Sequence, residues 1–193
     1  MKTLYLILAL LLFNAGVFAQ THNTVTIIYG ATSTDIATYG VDDYAYRITS
    51  GPMYGFTYTR NISKLFSLET GFIISDNHLK LSPKSFVQLI TGNPNGDVKM
   101  LSTPVYAKFT FFKYLFLDAG ISADSQMNYQ GSATFEQSGF GAEAGFGGKY
   151  SFGRITLSIN PFIFDHIVFV VFKTNSNNQL VETGLKFGLG YNF

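Results

Sequence analysis

Six charged side chains lie in segments whose residues alternate between apolar and polar character. They are three acids and three bases, Glu69, Lys108, Asp118, Glu143, Lys149 and Lys186. Opposite charges that share a water-poor space pair with each other, because an unpaired buried charge is strongly destabilising. The pattern therefore predicts a salt-bridged network inside the fold. The alternative that the same residues allow is a path for protons or ions.

Other residues offer little chemistry. His22, His78 and His166 are far apart and each stands alone, without a carboxylate or histidine at ligand spacing, so no metal site is predicted. The chain has no Cys, which excludes disulfides and zinc–thiolate sites. The glycines of 139–148 alternate within a strand pattern and precede no helix, unlike those of a phosphate-binding loop. We therefore predict no catalytic residue, no metal and no cofactor.

The composition points to a membrane-embedded β-protein. Of 193 residues, 47% are hydrophobic, 17% are aromatic and only 13% are charged, against about 25% charged in an average soluble domain. The formal net charge of +1 excludes the basic stripe of a nucleic-acid-binding protein. A chain rich in Phe, Tyr and Gly and poor in charge is typical of a β-barrel in a membrane.

The first twenty residues have the pattern of a secretory signal peptide. Lys2 precedes the apolar run 4–13, and small residues come before a cleavage point after Ala19. The run is too short to cross about 30 Å of hydrocarbon as a helix; an N-terminal anchor or buried helix is the alternative. We predict a signal peptide over 1–19 and a single barrel domain over 20–193.

Eight later segments alternate with period two, the signature of strands, and each approaches the length of about 10 residues of a tilted membrane strand. They are 24–31, 51–60, 65–75, 103–112, 115–124, 139–151, 154–164 and 182–193. The first is the least regular. Pro161 falls inside the seventh, where the missing N–H predicts a bulge.

The connections between these segments are alternately long and short. Tight turns are predicted at 61–64, 113–114 and 152–153, and long loops at 31–50, 76–102, 125–138 and 165–181. This order places all tight turns at one rim and all long loops at the other, as in outer-membrane barrels. The predicted fold class is therefore all-β, an eight-stranded antiparallel up-and-down transmembrane β-barrel.

Aromatic residues near the tight turns indicate which face meets lipid. The apolar face carries the girdle-like set Tyr58, Phe66, Phe111, Tyr150 and Tyr191. Phe193 ends the sequence in phase with this face. We expect the apolar face to point outward and the polar face to line a lumen that side chains fill, which leaves no room for solute flux.

The turn at Lys113 also predicts a register. If Phe111 pairs with Leu115, Lys108 lies opposite Asp118, with Glu69 at a similar height on the neighbouring strand. The charges of the predicted network then meet within the lumen.

Four segments resemble PorT-like outer-membrane β-barrel proteins, small barrels of the OmpA and OmpX type. They are LSTPVYAKFTFF (101–112), YLFLDAGI (114–121), GFGAEAGFGGKYSF (139–152) and GLKFGLGYNF (184–193). The resemblance implies an eight-stranded outer-membrane barrel of a Gram-negative cell. It also implies that the final strand, with Tyr191 and Phe193, is the signal recognised by the barrel-assembly machinery. Some members of the family assist protein secretion, and none supplies catalytic residues to transfer.

Together these observations predict an integral protein of the cell outer membrane that is not an enzyme and acts through its external loops. The expected partners are outer-membrane lipid, the barrel-assembly machinery and secretion-complex or envelope proteins, with no nucleic acid. The apolar run 167–172 either extends a strand or contacts such a partner. Three alternatives remain: a lipid-modifying outer-membrane enzyme, a soluble periplasmic barrel that binds an apolar ligand, and a small channel.

Overall fold

A computed structural model describes residues 23–38, 45–82, 96–127, 138–169 and 178–193. The predicted signal peptide and its cleavage point, with His22, lie outside the described residues. None of the described residues forms a helix of the length and apolar character needed to cross a membrane.

Nine strands form one antiparallel sheet in the described part of the chain. They are β1 (Asn23–Thr38), β2 (Ala45–Thr49), β3 (Gly51–Asn61), β4 (Phe66–Ser82), β5 (Gly96–Phe111), β6 (Leu115–Gln126), β7 (Gly139–Phe152), β8 (Ile155–Phe169) and β9 (Asn178–Asn192). Only Ser50 separates β2 from β3, and both pair with β1 and β4. The two therefore share one position, and the sheet has eight positions.

The sheet closes on itself because β1 also pairs with β9. The ladder runs from Thr24 opposite Asn192 to Thr38 opposite Asn178. Beyond it, Asn23 and Phe193 exchange two backbone hydrogen bonds of 2.9 Å each. The predicted all-β, eight-stranded antiparallel barrel is confirmed, and closure leaves no free sheet edge among the described strands.

The tight turns lie at one end of the barrel, called here the turn end, and the opposite end is called the loop end. At the turn end, residues 62–65, 112–114 and 153–154 connect strand pairs. Phe112 and Lys113 both have positive φ, 51° and 66°, which is uncommon for residues other than glycine and makes this reversal sharp. The turn places Phe111 opposite Leu115 and Lys108 opposite Asp118, so the predicted register is confirmed.

Several strands extend further toward the loop end than the sequence pattern predicts. β1 is regular and continues to Thr38, β4 continues to Ser82, and β8 continues to Phe169. The predicted loops 31–50, 76–102 and 165–181 are therefore wrong over part of their length. The period-two signal ends early because both faces of segments such as Thr32–Asp35 are polar, while the backbone ladder continues regardless of side-chain character.

Pro161 does not form the predicted bulge. The β7–β8 register is the same on both sides of it, with Gly148 opposite Ile159 and Gly145 opposite Phe162. Its ring is exposed on the outer wall, and the ladder with β9 continues through it. The register shift of this strand pair lies nearer the loop end, between Phe140 and Ala142.

The barrel is apolar outside and polar inside. In β6, Leu117 is 47% exposed on the outer wall, whereas the next residue, Asp118, is 2% exposed in the lumen. Among the described side chains, seventeen buried ones are polar or charged and only eight are hydrophobic. A soluble domain buries mostly hydrophobic side chains and exposes polar ones. The apolar outer wall of this barrel therefore fits an apolar environment.

Inward-facing glycines of β7 allow side chains of the neighbouring strands to pack directly against the backbone of β7. A Cβ added at Gly147 would overlap the ring of Phe116, and one added at Gly141 would lie 2.6 Å from Asp124 Oδ2 and 2.7 Å from Phe164 Cε2. Gly148 faces outward, where the nearest atom to an added Cβ is 3.7 Å away. Packing therefore requires glycine at the inward positions Gly141 and Gly147 but not at the outward Gly148.

This difference gives a matched pair of variants on adjacent residues. We expect Gly147→Ala to lower the free energy of unfolding by about 1–3 kcal/mol through overpacking, and Gly148→Ala to change it by less than about 0.5 kcal/mol. Urea unfolding of both variants in detergent micelles measures the two values. Equal effects would contradict the close contact between Gly147 and Phe116.

Candidate functional site: the layered lumen

The lumen contains three layers of side chains between the turn end and the loop end. The ionic layer comprises Glu69, Tyr106, Lys108, Asp118, Glu143 and Lys186. The apolar layer comprises Ile28, Met53, Ile73, Phe162 and Phe164. The histidine layer comprises Ser75, Asn77, Asp124, His166 and Glu182.

Lys108 is the cation nearest the turn end within the ionic layer. Its Nζ lies 2.5 Å from Glu69 Oε2 and 3.9 Å from Asp118 Oδ2. Glu69 Oε2 also accepts a hydrogen bond of 2.7 Å from Thr59 Oγ1, and Asp118 Oδ2 accepts one of 2.9 Å from Asn160 Nδ2. These contacts connect β3, β4, β5, β6 and β8 across the lumen.

Lys186 and Glu143 form the most deeply buried ion pair of the ionic layer. Lys186 Nζ donates to Glu143 Oε1, and the two side chains are 6% and 2% exposed. Tyr106 Oη donates to the other carboxylate oxygen at 2.6 Å. The ammonium also lies 4.2 Å from the ring centroid of Phe162, within range of a cation–π interaction. The pair joins β7 to β9, which are not neighbours in the sheet.

Lys149 is the one predicted network residue that the structure does not bring into a salt bridge with a described carboxylate. Its Nζ donates to Thr110 Oγ1 at 2.8 Å. Of the six charges named from the sequence, Glu69, Lys108 and Asp118 form one group, Glu143 and Lys186 form another, and Lys149 lies apart from both.

The two residues named as an assembly signal lie at the turn end on the outer wall. Tyr191 is exposed, and its Oη accepts a hydrogen bond of 3.0 Å from Arg154 Nη1. Phe193 is also exposed and pairs through its backbone with Asn23. An outward position is compatible with recognition, and their role as an assembly signal stays a prediction.

His166 does not stand alone, which corrects the prediction from the sequence. Its Nδ1 lies 3.0 Å from Asp124 Oδ2 and its Nε2 lies 3.1 Å from Glu182 Oε1, and all three side chains are fully buried. Glu182 also accepts hydrogen bonds from Ser75 and Asn77. The carboxylates were missed because they lie 42 and 16 residues away in the sequence, at strand ends that the alternation pattern cuts short.

The histidine layer suits a structural cross-link better than catalysis. A neutral imidazole has one N–H, so only the doubly protonated ring can donate toward both carboxylates. No group of three metal-ligating side chains among the described residues has an arrangement that could hold a metal ion. The cluster joins β4, β6, β8 and β9 and is enclosed by the barrel wall.

Replacing His166 tests this cross-link. We expect His166→Phe to lower the free energy of unfolding by about 1–3 kcal/mol, because Asp124 loses a buried hydrogen-bond partner and Glu182 loses the imidazole nitrogen 3.1 Å away. Complete loss of the fold is not expected, since Glu182 keeps Ser75 and Asn77 and Asp124 keeps Ser122. His166→Gln, which keeps a donor, should lose less. Urea unfolding in micelles that gave equal stability for all three proteins would contradict the cross-link.

The half of the lumen nearer the turn end, called here the turn half, contains a cavity of about 720 Å³. It is lined at the turn end by Gly153, Arg154 and Phe193. The prediction of a lumen filled by side chains is wrong for this half. Many of its inward residues are small hydroxyl side chains or glycine, which leave space inside the ring: Thr24, Thr26, Ser151, Thr156, Ser158 and Gly188.

The apolar layer closes the lumen above this cavity. Met53, Ile73 and Phe164 are almost completely buried and project from β3, β4 and β8. Phe164 contacts the ring of His166, with ring centroids 3.9 Å apart. The apolar and histidine layers are therefore in direct contact. Together they occupy the half of the lumen nearer the loop end, called here the loop half.

No known protein-family model and no curated protein matches the sequence. Solved structures nevertheless share its fold. Outer membrane protein OprG from Pseudomonas aeruginosa is similar at 13% identity, with 89% of this chain and 96% of that chain covered and a TM-score of 0.58. Outer membrane protein AlkL, solved in lipid bilayers, is 12% identical, with 90% of each chain covered and a TM-score of 0.54. Neisserial surface protein A is 16% identical, with 88% and 97% covered and a TM-score of 0.52.

At these identities the likeness shows the fold alone. The narrower resemblance to PorT-like proteins stays a prediction. The chain has the fold of small eight-stranded outer-membrane β-barrels.

Proposed function

We propose that this chain is an integral outer-membrane protein whose closed barrel is a scaffold for its long external connections and does not conduct solutes. The observation that carries the proposal is the closure of the loop half of the lumen. The apolar layer and the histidine layer lie one above the other there, with Met53, Phe164 and His166 almost inaccessible to solvent.

The outer wall supports the location in a membrane. Aromatic pairs surround the turn end: the rings of Phe66 and Phe109 are 5.0 Å apart, and those of Tyr114 and Tyr150 are stacked at 6.1 Å. Aromatic girdles of this kind occur where outer-membrane barrels meet the lipid interface. In the outer membrane, tight turns face the periplasm and long connections face the exterior.

The position of the polar clusters argues against a lipid-modifying enzyme. Such an enzyme needs acid–base groups on the lipid-facing wall or the outer rim. The imidazole–carboxylate cluster of this chain lies inside the lumen, and its side chains are fully buried. A soluble barrel is also disfavoured, because Ile27, Tyr29 and many other large apolar side chains of the outer wall are exposed.

Planar-bilayer recording tests the closed scaffold. The purified wild-type barrel should give no sustained single-channel current. A variant that truncates both layers, Phe162→Ala and Phe164→Ala with His166→Ala, should conduct after its folding has been verified by heat-modifiable gel mobility. Steady channels from the wild-type protein would contradict the proposal.

Affinity purification tests the scaffold role. Tagged protein recovered from intact envelopes should bring secretion-complex or envelope proteins with it. A variant whose residues 83–95 and 128–137 are replaced by short Gly–Ser connections should fold and lose those partners. Partners that persist in this variant would place the contact on the barrel wall or on the unchanged residues 39–44 and 167–177.

A further inference from the structure

We infer that the cavity at the turn end is a binding site for a small soluble anion, an organic carboxylate or phosphate, which Lys149 holds. The cavity volume of about 720 Å³ falls within the range of about 300–1,000 Å³ typical of small-molecule sites. The apolar layer closes the lumen on the side of the cavity that faces the loop end. A ligand therefore enters and leaves through the turn end.

The charged residues that line the cavity do not balance. Four cations, Lys108, Lys149, Lys186 and Arg154, face two carboxylates, Glu69 and Asp118. Both carboxylates lie within ion-pair distance of Lys108. Lys186 pairs with Glu143, which does not line the cavity. With Glu143 counted beside its partner Lys186, four cations face three carboxylates, an excess of one positive side chain.

Lys149 and Arg154 are the two cations of this set that are not paired with a described carboxylate, whereas Lys108 faces two carboxylates. Among the described residues, Lys149 Nζ contacts the hydroxyl of Thr110, and Arg154 Nη1 contacts the hydroxyl of Tyr191, without an ion pair to a carboxylate. Among the described residues, no carboxylate is therefore within ion-pair distance of Lys149.

The residues around the rim of the cavity add a positive electrostatic field. The tight turns and the strand ends beside them, residues 59–66, 111–115 and 150–156, contain Arg60, Lys64, Lys113 and Arg154 and no acidic residue. A rim of one sign around a low-dielectric cavity concentrates ions of the opposite sign.

The chemistry of the walls suits an oxyanion. Lys149 is partly buried, so an anion beside it is screened less than it would be in bulk water. Ser151 and Thr156 also line the cavity, and one of their hydroxyls donates to the other at 2.7 Å, which leaves the second free to donate to a ligand. An ammonium with nearby hydroxyls binds carboxylate and phosphate oxygens and discriminates against neutral solutes.

Calorimetric titration tests the site. The full chain, purified in a maltoside detergent and chloride-free buffer, is titrated with citrate and with inorganic phosphate. We expect saturable binding of at least one of these anions to the wild-type protein. Lys149→Gln should weaken it about tenfold or more, which corresponds to about 1.4 kcal/mol. Lys113→Gln, an exposed turn residue outside the cavity lining, should change the Kd less than about twofold.

Several results would overturn the site. They are the absence of saturable binding for both anions, and equal Kd values for the wild type and Lys149→Gln. If Lys149→Gln does not fold, Lys149→Met replaces it, with the same weakening of about tenfold expected. Comparison of phosphatidylcholine nanodiscs with the phosphate-free maltoside micelles separates the two sources of phosphate: a soluble ligand predicts the same Kd in both. Loss of binding only in phosphatidylcholine would assign the cavity to a lipid headgroup and overturn a soluble ligand.

Discussion

Replacing Lys186 by methionine is expected to lower the free energy of unfolding by about 3–5 kcal/mol. The variant leaves the Glu143 carboxylate without the ammonium that faces it, in a position where the side chain is 2% exposed. The hydrogen bond from Tyr106 remains, but one neutral donor does not compensate a buried charge. Equilibrium unfolding of the variant in micelles measures the loss.

Two further variants separate the ion pair from side-chain packing. Adding Glu143→Gln to Lys186→Met removes the unpaired charge, so we expect the double variant to regain most of the lost stability. Lys108→Met should cost less than Lys186→Met, because the side chains of Lys108 and Glu69 are 13% and 8% exposed, against 6% and 2% for Lys186 and Glu143. A Lys186→Met protein as stable as the wild type would refute a structural role for the lumen charges.

The second large effect is expected on the outer wall. Ile121, the seventh residue of the twelve-residue strand β6, is 58% exposed there. Arginine near the bilayer midplane destabilises transmembrane barrels by about 2–4 kcal/mol, because the guanidinium loses hydration among acyl chains. We expect Ile121→Arg to show a loss of this size when the protein unfolds from phosphatidylcholine vesicles.

A rim substitution is the matched control for Ile121→Arg. Phe112, at a tight turn, is 83% exposed, and arginine there should cost only about 0–1 kcal/mol. A soluble barrel predicts a different result, since water solvates arginine equally well at both exposed positions. Equal and small effects of the two substitutions would therefore contradict a lipid-facing wall.

Local chemistry makes much of the fold predictable from the sequence. The alternation of apolar and polar residues assigns most strand positions to one face, and the Lys113 turn gives the register that brings Lys108 opposite Asp118. Both signals are local, because they depend on residues a few positions apart. The order of short and long connections then suffices for an up-and-down barrel.

The histidine layer and the cavity could not be derived in the same way. Asp124, His166 and Glu182 meet because barrel closure brings β6, β8 and β9 around a shared interior, and no local pattern encodes that distance. The cavity depends on the summed volume of small inward residues from many strands. Both features require the register of the whole ring, including strand ends where polar residues occupy both faces.

The central claim is that the apolar face of the strands contacts acyl chains while the polar face is enclosed. The chain has no Trp, so a single introduced Trp is a unique reporter. Phe72, the seventh residue of β4, is exposed on the outer wall, and Phe162, the eighth residue of β8, is buried in the lumen. In vesicles of brominated phosphatidylcholine, we predict strong quenching of Phe72→Trp fluorescence and little quenching of Phe162→Trp. Quenching of the Phe162→Trp variant with the Phe72→Trp variant unaffected, or an equal response of the two variants, would contradict the account.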